Sequence, residues 1–224
     1  MITREKMAGL IDHTLLKPDA TRDDIKRLCQ EAIQYSFWSV CVNPSYVSLA
    51  ASILRDTEVR VCSVVGFPLG ANIPEVKAFE AERALEDGAN EIDMVINIGA
   101  LKAGDYELVR RDIEHVVKQG NRFQRDAIVK VIIETGLLTN KEVALACQVV
   151  KESGANFVKT STGINTGGAK VQDVKLIRNL VGPEFGVKAS GGIRTYKDAV
   201  KLIEAGANRI GTSSGTSIVK NTKS

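Results

Sequence analysis

Three lysines recur at equal intervals along the chain, each following a valine in a short apolar run. The runs are IVKVIIE with Lys130, FVKTS with Lys159 and GVKAS with Lys188. Such runs read as buried strands, and strands one repeat apart lie side by side with backbones about 4.8 Å apart. Successive side chains of a strand alternate between its two faces. In IVKVIIE, Val129, Val131 and Ile133 therefore share one face, and Lys130, Ile132 and Glu134 share the other. If the apolar set meets a covering layer of helices, the lysines point into an enclosed interior. Lysine is seldom buried without a partner. Desolvation and a neighbouring cation both disfavour the protonated amine. A neutral amine can attack an aldehyde or ketone, and the resulting Schiff base is an electron sink.

Lys130 has two readings, a part in that chemistry or a scaffold role bridged by Glu134 and nearby carboxylates. The scaffold reading suits Lys159 and Lys188 less well. Their runs end in Thr160, Ser161 and Thr162, and in Ser190, Gly191 and Gly192, small polar residues that suit a pocket mouth. In EIDMVINIGAL, Asp93 shares a face with Val95 and Asn97, opposite Ile92, Met94 and Ile96. An inward Asp93 either neutralises the lysines or moves protons during carbonyl chemistry. Asp12, in LIDHTLLKP, reads as a strand-end residue that orients a loop or, second, meets a substrate hydroxyl.

Two further segments suit an anion. SGGIRT holds Gly191 and Gly192, and GTSSG holds Gly211, Ser213 and Ser214. Small residues let backbone N–H groups approach a phosphate, and a helix start adds a favourable dipole. Arg194 either adds charge there or is a solvated residue at a helix start.

These residues need a frame that brings them together. Strand-like runs fall at 10–14, 39–43, 61–65, 91–97, 128–134, 156–160, 186–190 and 209–212. Helical patterns lie near 21–35, 44–55, 74–87, 105–118, 139–153, 170–181 and 195–205, with a shorter one opening near Ser213. Strand followed by helix, repeated, implies a parallel sheet, because each crossover must return the chain to the same end. The pattern predicts an α/β fold, a closed (β/α)8 TIM barrel in one domain over 1–224, with an open doubly wound sheet as the alternative. Loops after the seventh and eighth strands of such barrels often hold phosphate. DGANEIDMV, SGANFVKTS and AGANRIGTS share Gly-Ala-Asn just before a strand. Gly88, Gly154 and Gly206 in them suit the left-handed position that ends a helix.

Composition narrows the function classes. A length of 224 residues with 44% hydrophobic residues can bury a substantial core. A net charge of +3 without a basic run argues against nucleic acid as partner. Cys29, Cys41, Cys62 and Cys147 are far apart in sequence, and His13 and His115 are isolated, so no metal motif is legible. Charges interrupt residues 1–14 where a signal peptide needs an apolar core, and no apolar stretch reaches membrane length. The expectation is a cytoplasmic, metal-free enzyme without cofactor, partner to neither membrane nor nucleic acid.

With these residues assembled, the chain resembles the deoxyribose-phosphate aldolase family of class I aldolases over nearly its whole length. The markers are IDHTLLKP, SVCVNP, VVGFPLG, EIDMVINIGAL, KVIIETGLL, FVKTSTG, VKASGGIRT and GTSSG. The resemblance implies a TIM barrel that reversibly cleaves 2-deoxy-D-ribose 5-phosphate to D-glyceraldehyde 3-phosphate and acetaldehyde. It implies Lys159 as the Schiff-base lysine, Asp93 and Lys188 as the proton-transfer pair, and SGGIRT with GTSSG as the phosphate cradle. It is compatible with a homo-oligomer. Ile164 stands where other members carry lysine, and the chain ends in KNTKS, without the terminal tyrosine of some relatives.

Overall fold

The computed structural model describes residues 2–123, 127–165 and 167–221. In chain order the first half holds α1 (Arg4–Ala8), β1 (Ile11–Leu15), α2 (Arg22–Tyr35), β2 (Ser39–Val42), α3 (Val47–Leu54) and β3 (Arg60–Val65). Then come α4 (Pro74–Glu86), β4 (Glu91–Val95), α5 (Ile98–Ala103), α6 (Tyr106–Phe123), β5 (Ile128–Ile132) and α7 (Asn140–Glu152). The last part holds β6 (Phe157–Lys159), α8 (Val171–Val181), β7 (Gly186–Ser190), α9 (Tyr196–Glu204), β8 (Arg209–Thr212) and α10 (Gly215–Lys220). Each strand pairs in parallel with the next, and β8 pairs with β1, so the sheet closes into a (β/α)8 barrel. Closure excludes the open sheet.

Local chemistry sets the boundaries. Thr21, Thr139 and Thr195 begin α2, α7 and α9 with capping boxes to Asp24, Glu142 and Asp198. Pro44 opens a short 3-10 turn before α3, so the helix expected near 44–55 divides in two. The short helices α1 and α5 carry no readable periodicity, and α6 extends beyond the pattern expected to end near 118. The Gly-Ala-Asn repeats have a further role. Asn90, Asn156 and Asn208 accept, through Oδ1, the backbone N–H groups of Val61, Val129 and Val187 at 2.9, 2.8 and 3.0 Å. Each asparagine thus ties the start of its own strand to the strand before it.

The apolar core lies between barrel and helices. Val129, Val131 and Ile133 of β5 and its extension face it, as do Ile92, Met94 and Ile96, all buried. The barrel interior is different: Asp12, Glu91, Asp93, Lys130, Lys188 and Arg209 are buried inside it.

Candidate active site

Register brings the charged side chains together. Lys159 of β6 lies opposite Lys188 of β7, and Asp93 of β4 lies opposite Lys130 of β5. Asp93 is the hub. Its Oδ2 accepts from Lys159 Nζ at 2.7 Å and from Lys188 Nζ at 2.6 Å. Its Oδ1 accepts from Lys130 Nζ at 2.8 Å and from Cys62 Sγ at 3.2 Å. Below the hub, Lys130 pairs with Glu91 at 2.5 Å and Lys188 with Asp12 at 2.5 Å. Arg209 joins Asp12 and Glu91 at 2.9 and 3.2 Å, and its guanidinium lies over the Trp38 ring at 4.3 Å.

Burial pushes each ion toward neutrality, and the partners reverse it. For Asp93, burial works upward, but Lys130, Lys159 and Lys188 hold the carboxyl well below the usual range. Asp12 is likewise held low against burial by Lys188, Arg209 and Lys130. Burial works downward on Lys188 and Lys130, but Asp12 and Asp93 around the first, and Asp93, Cys62 and Glu91 around the second, raise both. Lys188 thus shares one carboxylate oxygen with Lys159, and Asp12 and Asp93 favour its protonated form.

Above this column lies a cavity of about 370 Å³ at the C-terminal ends of the strands, the usual site of chemistry in such barrels. Lys159 reaches its floor, and Gly191, Gly192, Gly211 and Ser213 line its wall. The loops approach closely: a Cβ on Gly163 would lie 3.1 Å from Gly191 Cα. Thr212 Oγ1 donates to Ile193 O at 2.7 Å, tying the loop after β8 to the loop after β7. Ser214 does not line the cavity; its backbone N–H donates to Thr212 Oγ1 at 2.9 Å, at the start of α10. Arg194 lines the wall, and Ile164 adds an apolar side chain to it.

Besides Ser214, four placements differ from the sequence reading. Asp12, read as a strand-end residue that orients a loop or meets a substrate hydroxyl, is the second residue of β1, where it accepts from Ser39 Oγ at 2.8 Å and pairs with Lys188 and Arg209. Glu134 does not bridge Lys130. The strand ends at Ile132, Glu134 turns into the left-handed region at φ 55°, and alternation no longer governs its direction. Asn97 caps α5, because β4 ends at Val95. Cys41 and Cys62, distant in sequence, are register partners on β2 and β3. With Asp93 they form a group whose ligand atoms lie within 4.8 Å of one another. This donor set suits a cation poorly, since Asp93 is already held by three lysines. Glu91, Arg209 and Lys17 were missed. Glu91 sits two residues before Asp93 on the same face, a signal that period two supplies, and Lys17 lines the cavity from the loop after β1. Among the described residues, no helix is long and apolar enough to cross a membrane.

A parallel barrel with amines and a carboxylate converging under a glycine-rich mouth belongs among the aldolase class of (β/α)8 enzymes. The model of the DeoC/LacD family aldolases matches residues 6–221, and the chain belongs to that family. It is 63% identical over 216 residues to the deoxyribose-phosphate aldolase of Thermococcus gammatolerans, covering 96% of this chain and 95% of that protein. With the deoxyribose-phosphate aldolase of Thermococcus kodakarensis identity is 61% over 221 residues, 98% of each. The tetrameric deoxyribose phosphate aldolase of Aeropyrum pernix matches with a TM-score of 0.92 and 39% identity, over 99% of this chain and 93% of that one.

Proposed function

We propose that this chain cleaves 2-deoxy-D-ribose 5-phosphate reversibly to D-glyceraldehyde 3-phosphate and acetaldehyde, through a Schiff base on Lys159 and without a metal or other cofactor. The observation that carries the reading is the single Asp93 oxygen shared by Lys159 and Lys188 beneath the cavity floor. The names of the relatives support the substrate.

In this reading the Lys159 amine attacks C1 of the open-chain sugar, and loss of water leaves an iminium. The C3 hydroxyl loses its proton, the C2–C3 bond breaks, and its electrons pass into the iminium. Glyceraldehyde 3-phosphate leaves. The remaining enamine takes a proton at C2, and water then releases acetaldehyde and restores Lys159. Asp93 and Lys188 move the protons, since one can accept and the other donate within reach of Lys159. Asp12 acts on the substrate through Lys188, which it holds in place. The loops with Gly191, Gly192, Gly211, Ser213 and Ser214 hold the phosphate. The setting is the breakdown of deoxyribose phosphate in the cytoplasm, by a homo-oligomer, an assembly that the tetrameric relative supports.

The substrate class is tested at Ser213, which is exposed on the cavity wall. Ser213→Asp sets a negative charge beside the phosphate, and kcat/KM for deoxyribose 5-phosphate falls at least about tenfold relative to unphosphorylated deoxyribose. A folded variant that keeps the parent ratio removes this loop from the phosphate site.

A further inference from the structure

Glu134 is one of the non-glycine residues in the left-handed backbone region, at φ 55° and ψ 64°, and its side chain is fully buried. A glycine would hold that backbone without strain, whereas a side chain there is strained. The conformation brings the carboxylate to the loop after β6. Glu134 Oε2 accepts from Thr162 Oγ1 at 2.5 Å, from Thr162 N at 3.3 Å and from Asn165 Nδ2 at 3.4 Å. With its own O–H donated in a hydrogen bond to Glu134, the Thr162 oxygen accepts the backbone N–H groups of Ile164 and Asn165 at 3.1 and 3.3 Å. Asn165 Nδ2 also donates to Pro68 O at 2.8 Å, bridging to the loop after β3. One buried carboxylate thus sets the fold of 162–165, three residues beyond Lys159. That segment presses Gly163 against Gly191 and contributes Thr162, Gly163 and Ile164 to the cavity wall.

We propose that Glu134 is a positioning residue whose carboxylate, acting through Thr162 and Asn165, fixes the loop after β6 against Gly191 and so sets the fit of the phosphate-bearing end of the substrate. This rests on the substrate reading above, and it separates two roles that the residue could have. If Glu134 only shaped the turn, Glu134→Gly would relieve the backbone and leave function intact or improved. If the carboxylate is what matters, Glu134→Gly and Glu134→Gln both loosen the loop, by removing the acceptor or by presenting an amide to donors.

The experiment combines two readouts on the intact protein. Amide hydrogen exchange over residues 160–165, without substrate, is expected to rise in Glu134→Gly, in Glu134→Gln and in Thr162→Val, and to stay near the parent in Thr162→Ser, which keeps the hydroxyl. Steady-state kinetics are expected to show KM for deoxyribose 5-phosphate raised about tenfold, the scale of one charge-assisted hydrogen bond, with a much smaller change in kcat. The double variant Glu134→Gly with Thr162→Val is expected to be no worse than either single change, because both cut the same link. Unchanged exchange in Glu134→Gly overturns the proposal, as does parental KM with active parent enzyme. A parent that does not cleave the substrate overturns the functional reading alone, since the exchange data still decide the role of Glu134.

Discussion

Asp93 and Met94 are neighbours on β4, yet they live in different media. Met94 faces the layer between barrel and helices, where burial of apolar surface is itself the stabilising force. Asp93 faces the interior, where burial is unfavourable and is offset only because lysines converge on it. The apolar layer tolerates any well-packed side chain of suitable volume. The charged column does not, since each ion there is the condition for its neighbour's burial. Stability and chemistry are therefore separated across the thickness of one strand, and a substitution should reveal which side it touches.

The largest contrast is between those neighbours. Asp93→Asn leaves Lys130, Lys159 and Lys188 without their shared counter-charge, a loss of about 3–5 kcal/mol on the scale for broken buried pairs. Under the proposed proton-transfer role of Asp93, the substitution should also slow cleavage by about 10²–10⁴-fold. Met94→Ala should cost a comparable 2–5 kcal/mol, roughly, through its cavity, with turnover per folded molecule unchanged. Urea unfolding together with assays of the folded fraction would check both. Equal loss of turnover in the two variants would abolish the division.

Lys188→Met comes next. It removes the amine that shares Asp93 Oδ2 with Lys159, so turnover should drop about tenfold or more under the proposed proton-transfer role of Lys188. Unchanged turnover in the folded variant would make Lys188 scaffold.

The smallest expected effect is in acid stability. Burial holds His13 below the usual histidine range, although Glu31 at 2.7 Å works the other way. The unfolded chain thus binds this proton first, and stability should start to fall below about pH 6.5. Asp12 and Asp93 are held low in the fold, so the stability they contribute is present above about pH 4 and is lost as pH falls further through their folded values. Urea midpoints between pH 7.5 and pH 3 should therefore decline in two stages, and His13→Gln should remove the first. A single stage in the parent would reject the contribution of His13.

How much of this was legible in sequence depends on distance along the chain. The strands β7 and β8 match their expected bounds, because a short strand-like run between two helical segments is a local signal. Alternation within a strand likewise exposed Asp93, Lys159 and Lys188. The meeting of Asp12 with Lys188 and Arg209 was not legible, since it requires β8 to close on β1 and the strands to slide to their register. The juxtaposition of Cys41 and Cys62 follows from the same register. Glu134 escaped for another reason: its backbone leaves the strand, so period two assigned it to the lysines when it serves the next loop.

The central claim is that Lys159 carries the covalent step, and trapping tests it most directly. Incubation with acetaldehyde and borohydride, followed by peptide mapping, should find one reduced two-carbon unit on Lys159, and Lys159→Ala should remain folded, unlabelled and without cleavage activity. A unit mapped to Lys130 or Lys188 instead, or a Lys159→Ala variant that still cleaves the substrate, would contradict the account.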